Sequence, residues 1–373
     1  MKILINASNL HVGGGVQVAA SFVNELSLIL AKKESLGNKY FSVDIIASTS
    51  VNNSLGISFN SRCFDEYSVL DSYGFNINKN IKLIFKRDYD VVFNVFGPVY
   101  YNFSRTQVVT GFAQAWIAYP NNLAYNKVDL FTKLRLKLSF IIKELYFKRS
   151  NKLIVEASHI KTALVNKGYS GKNIEVVPNA VSSLYDDKNV WKSIDFNKTE
   201  KFTLGFLGRN YSHKNIAILK EVNTILNCEF NVECDFIFTF SSEEMLSAGF
   251  EELSNFKSVG ELHVEQCPNF YKIIDALIFP SLLECFSSTP VEAMMMDTLV
   301  IASDLPFVTE VCKDSARYFD PTDPRSIAVE VVNAINEPHL NLELVEKARS
   351  YVAQQFTAKE RACNYLSILL NSK

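Results

Sequence analysis

The sequence predicts an α/β protein with two doubly wound parallel sheets, one in each half of the chain. Short apolar runs recur along it, at 2–6, 41–47, 81–85, 91–95, 108–113, 152–155, 174–177, 201–207, 234–240, 275–279 and 298–302. Periodic helical stretches separate several of them, the pattern of parallel strands joined by helical crossovers. A chain of 373 residues is long enough to bury two cores. The polar stretch 182–200, with Asp186-Asp187 and several Lys, is the best linker between them. The expected organisation is therefore domain 1–181, linker 182–200, domain 201–350 and a terminal helix in 351–373.

Composition narrows the function. Hydrophobic residues make up 48% and charged residues 21%, ordinary for a globular protein. A net charge of −2 argues against a general nucleic-acid binder, so any basic surface must be local. Seven Cys form no C-x-x-C pair, which disfavours a disulfide framework or zinc site and favours a reducing compartment. Met1-Lys2 leads into a strand rather than a signal peptide, and no apolar run approaches ~18 residues. A cytoplasmic protein is expected.

In chain order, strand 2–6 is followed by His11-Val-Gly-Gly-Gly15 and by a helix with Val16, Ala19, Ala20, Val23, Leu26 and Leu30 on one face. A dinucleotide fingerprint fails here: Val18 occupies the third glycine position, and the loop before Gly13 is too long. Gly14 and Gly15 read instead as a glycine loop facing a ligand cleft, with a flexible turn as the plain alternative. Asp88-Tyr-Asp90 spells D-x-D, a spacing that can hold a divalent metal, but it directly precedes a strand and reads as framing that strand's start. The segment 111–116 follows a strand and should lie on a crevice rim outside the carboxyl ends of the strands. Gln114 or Trp116 could line an acceptor there, or simply pack the loop.

The stretch 130–152 is distinctive. Phe131, Leu134, Leu138, Ile141, Ile142 and Leu145 fall within about a 100° arc of a helical wheel. Lys133, Lys137 and Lys148 lie at one edge, Arg135 beyond the other and Lys143 on the far side, offset only by Asp129 and Glu144. A basic amphipathic helix reads as membrane-surface binding, and equally as an interior helix with lysines outward.

The most informative stretch is 279–304, FPSLLECFSSTPVEAMMMDTLVIASD. Thr289 suits a helix N-cap, Pro290 the first helical position, and Glu292 completes a Thr-x-x-Glu capping box. The small-residue loop Cys285-Phe-Ser-Ser-Thr289 would gather backbone N–H groups at the positive end of the helix, where anions bind. Glu284 and Glu292 flank that loop. Two carboxylates would repel a bare phosphate, but they suit a ligand that also carries hydroxyls, such as a sugar nucleotide. Taken singly, Glu292 could be only a capping residue and Glu284 a solvated loop acid.

E-x7-E followed by EAMxxxxxVIASD, Glu310-Val311 and Tyr318-Phe-Asp-Pro321 resembles the C-terminal half of retaining GT-B glycosyltransferases of family GT4. The resemblance implies a GT-B fold, two Rossmann-like domains facing a central cleft, with the terminal helix packed back on the first domain. It implies that Glu284 contacts the donor sugar's hydroxyls and Glu292 the ribose. Gly208-Arg-Asn-Tyr-Ser-His-Lys214-Asn215 is similar to the family's Gly-Arg-x-x-x-x-Lys-Asn, which gives Arg209 and Lys214 the leaving diphosphate. The N–H groups of Phe286, Ser287, Ser288 and Thr289 would share it. Ser258-Val-Gly260-Glu-Leu262 resembles the segment whose backbone meets the nucleotide base, and Val177-Pro-Asn-Ala-Val181 the end of the first domain. The family's Glu-Gly-Phe-Gly is Glu284-Cys-Phe-Ser287 here, which implies a tighter donor pocket. Its usual cleft His is absent.

The resemblance further implies a metal-independent hexosyltransferase without a resident cofactor. It would use a UDP- or GDP-linked sugar and a glycan acceptor, a lipid-linked oligosaccharide of O-antigen or capsule assembly at the inner face of the cytoplasmic membrane. Rival readings stay open: an NAD-dependent oxidoreductase, a sugar-nucleotide epimerase on the same fold, or a non-catalytic GT-B partner subunit.

Overall fold

Every pairing between strands in the described residues is parallel. Strands of this kind are buried on both faces, which is why they read as unbroken apolar runs. The computed structural model describes residues 1–32, 40–56 and 58–372. They form two units: unit 1 is Met1–Pro120, Leu134–Ser182 and Phe356–Lys373, and unit 2 is Asn121–Lys133 and Ser183–Gln355.

Unit 1 holds β1 (Lys2–Ala7), β2 (Ser42–Ala47), β3 (Glu66–Val69), β4 (Val91–Asn94), β5 (Gln107–Phe112), β6 (Lys152–Val155) and β7 (Ile174–Val176). Its helices are α1 (Gly14–Ala31), α2 (Thr49–Asn53), α3 (Lys79–Phe85), α4 (Ala115–Ala118), α5 (Leu130–Phe147) and α6 (Ser158–Asn166); the first turn of α5 falls to unit 2. The sheet order is β3-β2-β1-β4-β5-β6-β7, so the winding reverses between β1 and β4. That reversal opens a crevice at the strands' carboxyl ends. Asn6, which interrupts the first apolar run, lies at this edge, and its amide donates to Asn94 Oδ1 across the reversal (3.0 Å).

Unit 2 repeats the plan with β8 (Phe202–Phe206), β9 (Cys234–Phe238), β10 (Phe256–Ser258), β11 (Ala276–Phe279), β12 (Leu299–Ser303) and β13 (Arg317–Phe319). Their order is β10-β9-β8-β11-β12-β13, with the reversal between β8 and β11. The helices are α7 (Leu219–Cys228), α8 (Ser242–Ala248), α9 (Cys267–Ile273), α10 (Ser288–Met295), α11 (Pro306–Cys312), α12 (Pro324–Asn336) and α13 (Pro338–Val352). The last helix, α14 (Ala358–Leu370), belongs to unit 1 and packs on α1, with Ala362, Tyr365, Leu366 and Leu369 in the unit 1 core. Buried Arg361 fixes it: Nη2 donates to Ser21 Oγ (2.8 Å) and Nη1 to Asn179 Oδ1. Asn179 of the Pro-Asn-Ala-Val segment is thus a structural partner.

Three expectations are corrected. Residues 81–85 are not a strand but the end of α3, because Asn78 caps the Asn80 N–H and Ile81, Ile84 and Phe85 recur at helical spacing. The terminal helix does not begin at 351: α13 runs to Val352, and Thr357 and Glu360 form a capping box that starts α14. The stretch 183–200 is laced to unit 2 rather than free, through Lys192 N–H to Glu265 O (2.8 Å), Lys198 to Asp275 (2.6 Å) and Thr199 to Asp235 (2.7 Å). Helix α1, at 18 residues and mean hydropathy 1.3, is long and apolar enough to cross a membrane by length and composition. Its Val16, Ala19, Phe22, Val23 and Leu26 are buried in the unit 1 core, which accounts for that apolarity.

One glycine holds unit 1 together by what it lacks. A Cβ on Gly111 in β5 would sit 1.8 Å from Val95 O, inside the backbone that follows β4. Gly111→Ala should lower the stability of unit 1 by about 2–3 kcal/mol, read as a lower urea midpoint in its unfolding transition.

Candidate functional site

The loops after β8 and β11 meet at the carboxyl edge of the unit 2 sheet, and hydrogen bonds fix their approach. Leu282 N–H donates to His213 O (2.7 Å), joining the two loops. Asn215 adopts the left-handed conformation that Asn tolerates, and its amide donates to Pro321 O (2.8 Å). Ser303, of the Ala-Ser-Asp motif, donates to Ser281 O (2.8 Å). These contacts set Lys214 Nζ 2.5 Å from Glu284 Oε1, with both side chains about seven-eighths buried. Ser281 Oγ donates to the same oxygen (3.1 Å), and the ammonium lies 5.2 Å from the centre of the Phe279 ring.

The helix start differs from expectation. Helix α10 begins at Ser288, so Ser287 is the N-cap and Thr289 lies inside the first turn. The Thr289–Glu292 capping box does not form, and no side chain caps α10. Glu292 instead accepts from Tyr271 O–H (2.9 Å), which also reaches Thr289 O (3.2 Å). Burial, with the Glu292 charge beside it, holds the Tyr271 phenol well above its usual range, and likewise Tyr185, whose ring lies 6.4 Å away. The α10 N-terminus therefore keeps its N–H groups near Phe286, Ser287, Ser288 and Thr289 without a side-chain cap, flanked by Glu284 and Glu292.

Arg209 follows β8 but pairs elsewhere. Its Nε meets Glu244 (2.9 Å) and its Nη1 meets Glu261 (2.7 Å). Burial works against the Glu244 charge, but donation from the Asn210 and Ser241 N–H groups and from Arg209 outweighs it and holds the carboxyl below its usual range. Gly260, at φ 77°, lines a cavity of about 510 Å³ with Phe240, Ser258 and Glu261, whereas Leu262 is not among its lining residues. The structure thus brings Lys214 to Glu284, and leaves Arg209 with a different pair of carboxylates.

In unit 1, a second cavity of about 510 Å³ opens at the carboxyl edge, lined by Asn6, Asn9, Ser72, Tyr100, Gln114 and Lys143 among others. Gly15 lines it and Gly14 does not. Gly13 caps α1 at φ 74° and ψ −164°, a conformation close to glycine-only. Gln114 faces the cavity, but Trp116 stacks on Phe140 of α5 (5.7 Å). Burial lowers the Lys143 ammonium's pKa. Asp90 of the D-x-D accepts from the Lys2 N–H (2.8 Å), which ties it to the sheet edge. Among the described residues no cluster of His, Cys, Asp and Glu is suited to a metal.

Sequence reasoning missed two features. The 3-10 turn Leu123–Lys127 packs against the turn Ser212–Lys214, and no spacing rule links positions so far apart. Helical spacing places Lys143 only on the far side of an amphipathic helix, and its place at the cavity depends on tertiary packing.

If Lys214 and Glu284 stabilise each other, Lys214→Ala should cost unit 2 about 1–3 kcal/mol by stranding a carboxylate. Lys214→Ala/Glu284→Ala should then recover at least about 1 kcal/mol relative to additivity, measured by urea unfolding. Burial also depresses the His213 pKa below 6.5. As pH falls the unfolded chain takes up that proton first, so this stability is intact above about pH 6.5 and lost below it. The urea midpoint of unit 2 should fall between about pH 7.5 and 5.5, and less steeply in His213→Gln.

The match to a described family covers the same residues. The family "Glycosyl transferases group 1" matches residues 187–351. O-antigen chain mannosyltransferase RfbU of Salmonella typhimurium is 25% identical over 217 residues, covering 57% of this chain and 60% of that protein. Among solved structures, a glycosyltransferase from Rickettsia africae aligns over 100% of this chain and 98% of its own, at TM-score 0.67 and 17% identity. Anabaena HepE with UDP and glucose aligns over 100% of both chains, at TM-score 0.64 and 15% identity. Staphylococcus aureus TarM with UDP covers 99% of both, at TM-score 0.68 and 12% identity. The chain has the GT-B fold, and its residues 187–351 match the group 1 glycosyl transferases.

Proposed function

We propose that the protein is a retaining glycosyltransferase of the GT4 type, moving a hexose from a UDP- or GDP-linked donor to a hydroxyl of a glycan acceptor, a lipid-linked oligosaccharide of O-antigen or capsule assembly. The observation that carries this reading is the Lys214–Glu284 pair beside the uncapped start of α10. It puts a cation, a hydroxyl-accepting carboxylate and free helix N–H groups within one short loop system. The RfbU likeness supports a hexosyl, specifically mannosyl, reaction and an O-antigen acceptor, and the UDP bound in HepE supports a nucleotide diphosphate leaving group.

The mechanism follows from the charges. The donor diphosphate lies on the N–H groups of Phe286, Ser287, Ser288 and Thr289 and draws Lys214 from Glu284, which frees Glu284 to accept from the sugar's hydroxyls. Arg209 joins by exchanging Glu261 for phosphate, while Glu244 holds its Nε. Glu292 accepts a ribose hydroxyl, and the backbone near Gly260 and Leu262 meets the base. As the bond from the anomeric carbon to the leaving phosphate oxygen breaks, the acceptor oxygen attacks from the same face. Its proton passes to a donor phosphate oxygen, so the products are the glycoside and the nucleoside diphosphate, with the cations balancing the charge that develops. The unit 1 cavity, with Asn6, Asn9, Ser72 and Gln114 for hydroxyls and Lys143 for an anionic group, takes the acceptor.

Incubation with a panel of UDP- and GDP-hexoses and a polyprenyl-diphosphate saccharide should give a product with one donor, its anomeric configuration retained by NMR. Lys214→Ala and Glu284→Gln should each lower kcat/KM by about 100-fold or more. Full activity in either variant contradicts the assignment.

A further inference from the structure

Helix α5 turns its wider apolar face to solvent. Leu130, Phe131, Leu134, Leu138, Ile141 and Leu145 are each more than half exposed, and Phe147 is the helix's one fully buried residue. The reading of α5 as an ordinary interior helix therefore fails for this face. A second, narrower side makes the attachment: Phe147 packs edge-on to Phe112 (4.8 Å), Phe140 stacks on Trp116, and Glu144 pairs with Lys167 of the α6 C-terminus (2.9 Å). The outer ridge is thus surplus to what the fold needs. It runs the length of the helix, about 27 Å. Phe75, itself exposed, extends it through Tyr146 (5.6 Å).

Charge decides what covers such a ridge. From 129 to 149 there are six basic residues and two acidic ones, in a chain whose net charge is −2. Lys133 and Lys137 border the ridge on one side and Arg135 on the other, placed to reach past the apolar side chains. A second copy of the chain docking through this face would press two like-charged rims together. An anionic bilayer offers acyl chains to the ridge and phosphates to the rim at once.

We infer that α5 is an interfacial helix, lying in the surface of an anionic phospholipid membrane with the Leu134, Leu138, Ile141 and Leu145 ridge among the acyl chains. The inference stands apart from the transfer chemistry, since vesicle binding is read without donor or acceptor. The test is sedimentation of the full chain with sucrose-loaded vesicles of phosphatidylcholine alone and of phosphatidylcholine with about one-third phosphatidylglycerol, at low and high salt. The protein should partition to the anionic vesicles at least tenfold more strongly, and less so in high salt. Leu138→Glu/Ile141→Glu, which alters only exposed positions, should lose that binding at least tenfold with its circular dichroism and melting unchanged. Lys133→Glu/Arg135→Glu should lose the preference for anionic vesicles. Equal binding by the Leu138→Glu/Ile141→Glu variant, or no vesicle binding by the wild type, overturns the inference. So does a wild-type dimer that the same variant dissociates without any vesicle binding.

Discussion

Parallel strand pairing is the constraint on which both units rest. Each strand must be followed by a crossover that returns the chain to the same end, so the loops that leave the strands collect along one carboxyl edge. Where the winding reverses, between β1 and β4 and between β8 and β11, neighbouring loops diverge and leave a crevice. Asn6, Asn94, Gly15 and Gln114 gather at one such edge, and Lys214, Glu284 and the start of α10 at the other. Helix α14 completes unit 1 through Arg361, whose buried guanidinium bonds to Ser21 and Asn179.

Within unit 2 the charges are matched inside the chain. Lys214 is held by Glu284, and Arg209 by Glu244 and Glu261. A mostly buried ammonium needs a counter-charge, and the Glu284 carboxylate supplies it. In the proposed mechanism a donor diphosphate takes over that counter-charge and leaves Glu284 to a sugar hydroxyl. On that proposal one ion pair links anion recognition to sugar recognition, which a solvated lysine and a solvated glutamate could not do.

Much of this was legible in the sequence because parallel strands and helix starts leave local marks. The apolar runs at β1, β2, β4, β8, β9, β11 and β12 are strands. Strands β3, β10 and β13 were missed, being short and bearing polar or charged residues such as Glu66, Lys257 and Arg317. The run at 81–85 misled because four or five apolar residues fit either period, and the deciding Asn78 cap lies outside it. Thr289 and Glu292 have capping-box spacing, yet Tyr271, 21 residues before Glu292, takes that carboxylate through a contact no local rule contains. The pairing of Lys214 with Glu284 is likewise tertiary. The motifs could place both on neighbouring loops, but the 2.5 Å contact depends on Leu282, Ser281 and Ser303 holding those loops in place. The wheel drew the apolar stripe of α5 correctly and left its direction open, since that is set by whether the sheet needs another covering helix.

The most direct test of the central claim, that the Lys214 and α10 region receives a nucleotide diphosphate, is thermal unfolding of the whole protein with UDP, GDP, ADP and NAD, each well above its dissociation constant. A nucleotide at ~100 times that constant adds roughly 2.7 kcal/mol to the unit that binds it, a shift of several degrees. UDP or GDP should give such a shift, and Lys214→Ala should lose it. A shift with NAD alone, or the same UDP or GDP shift in Lys214→Ala, would contradict the claim.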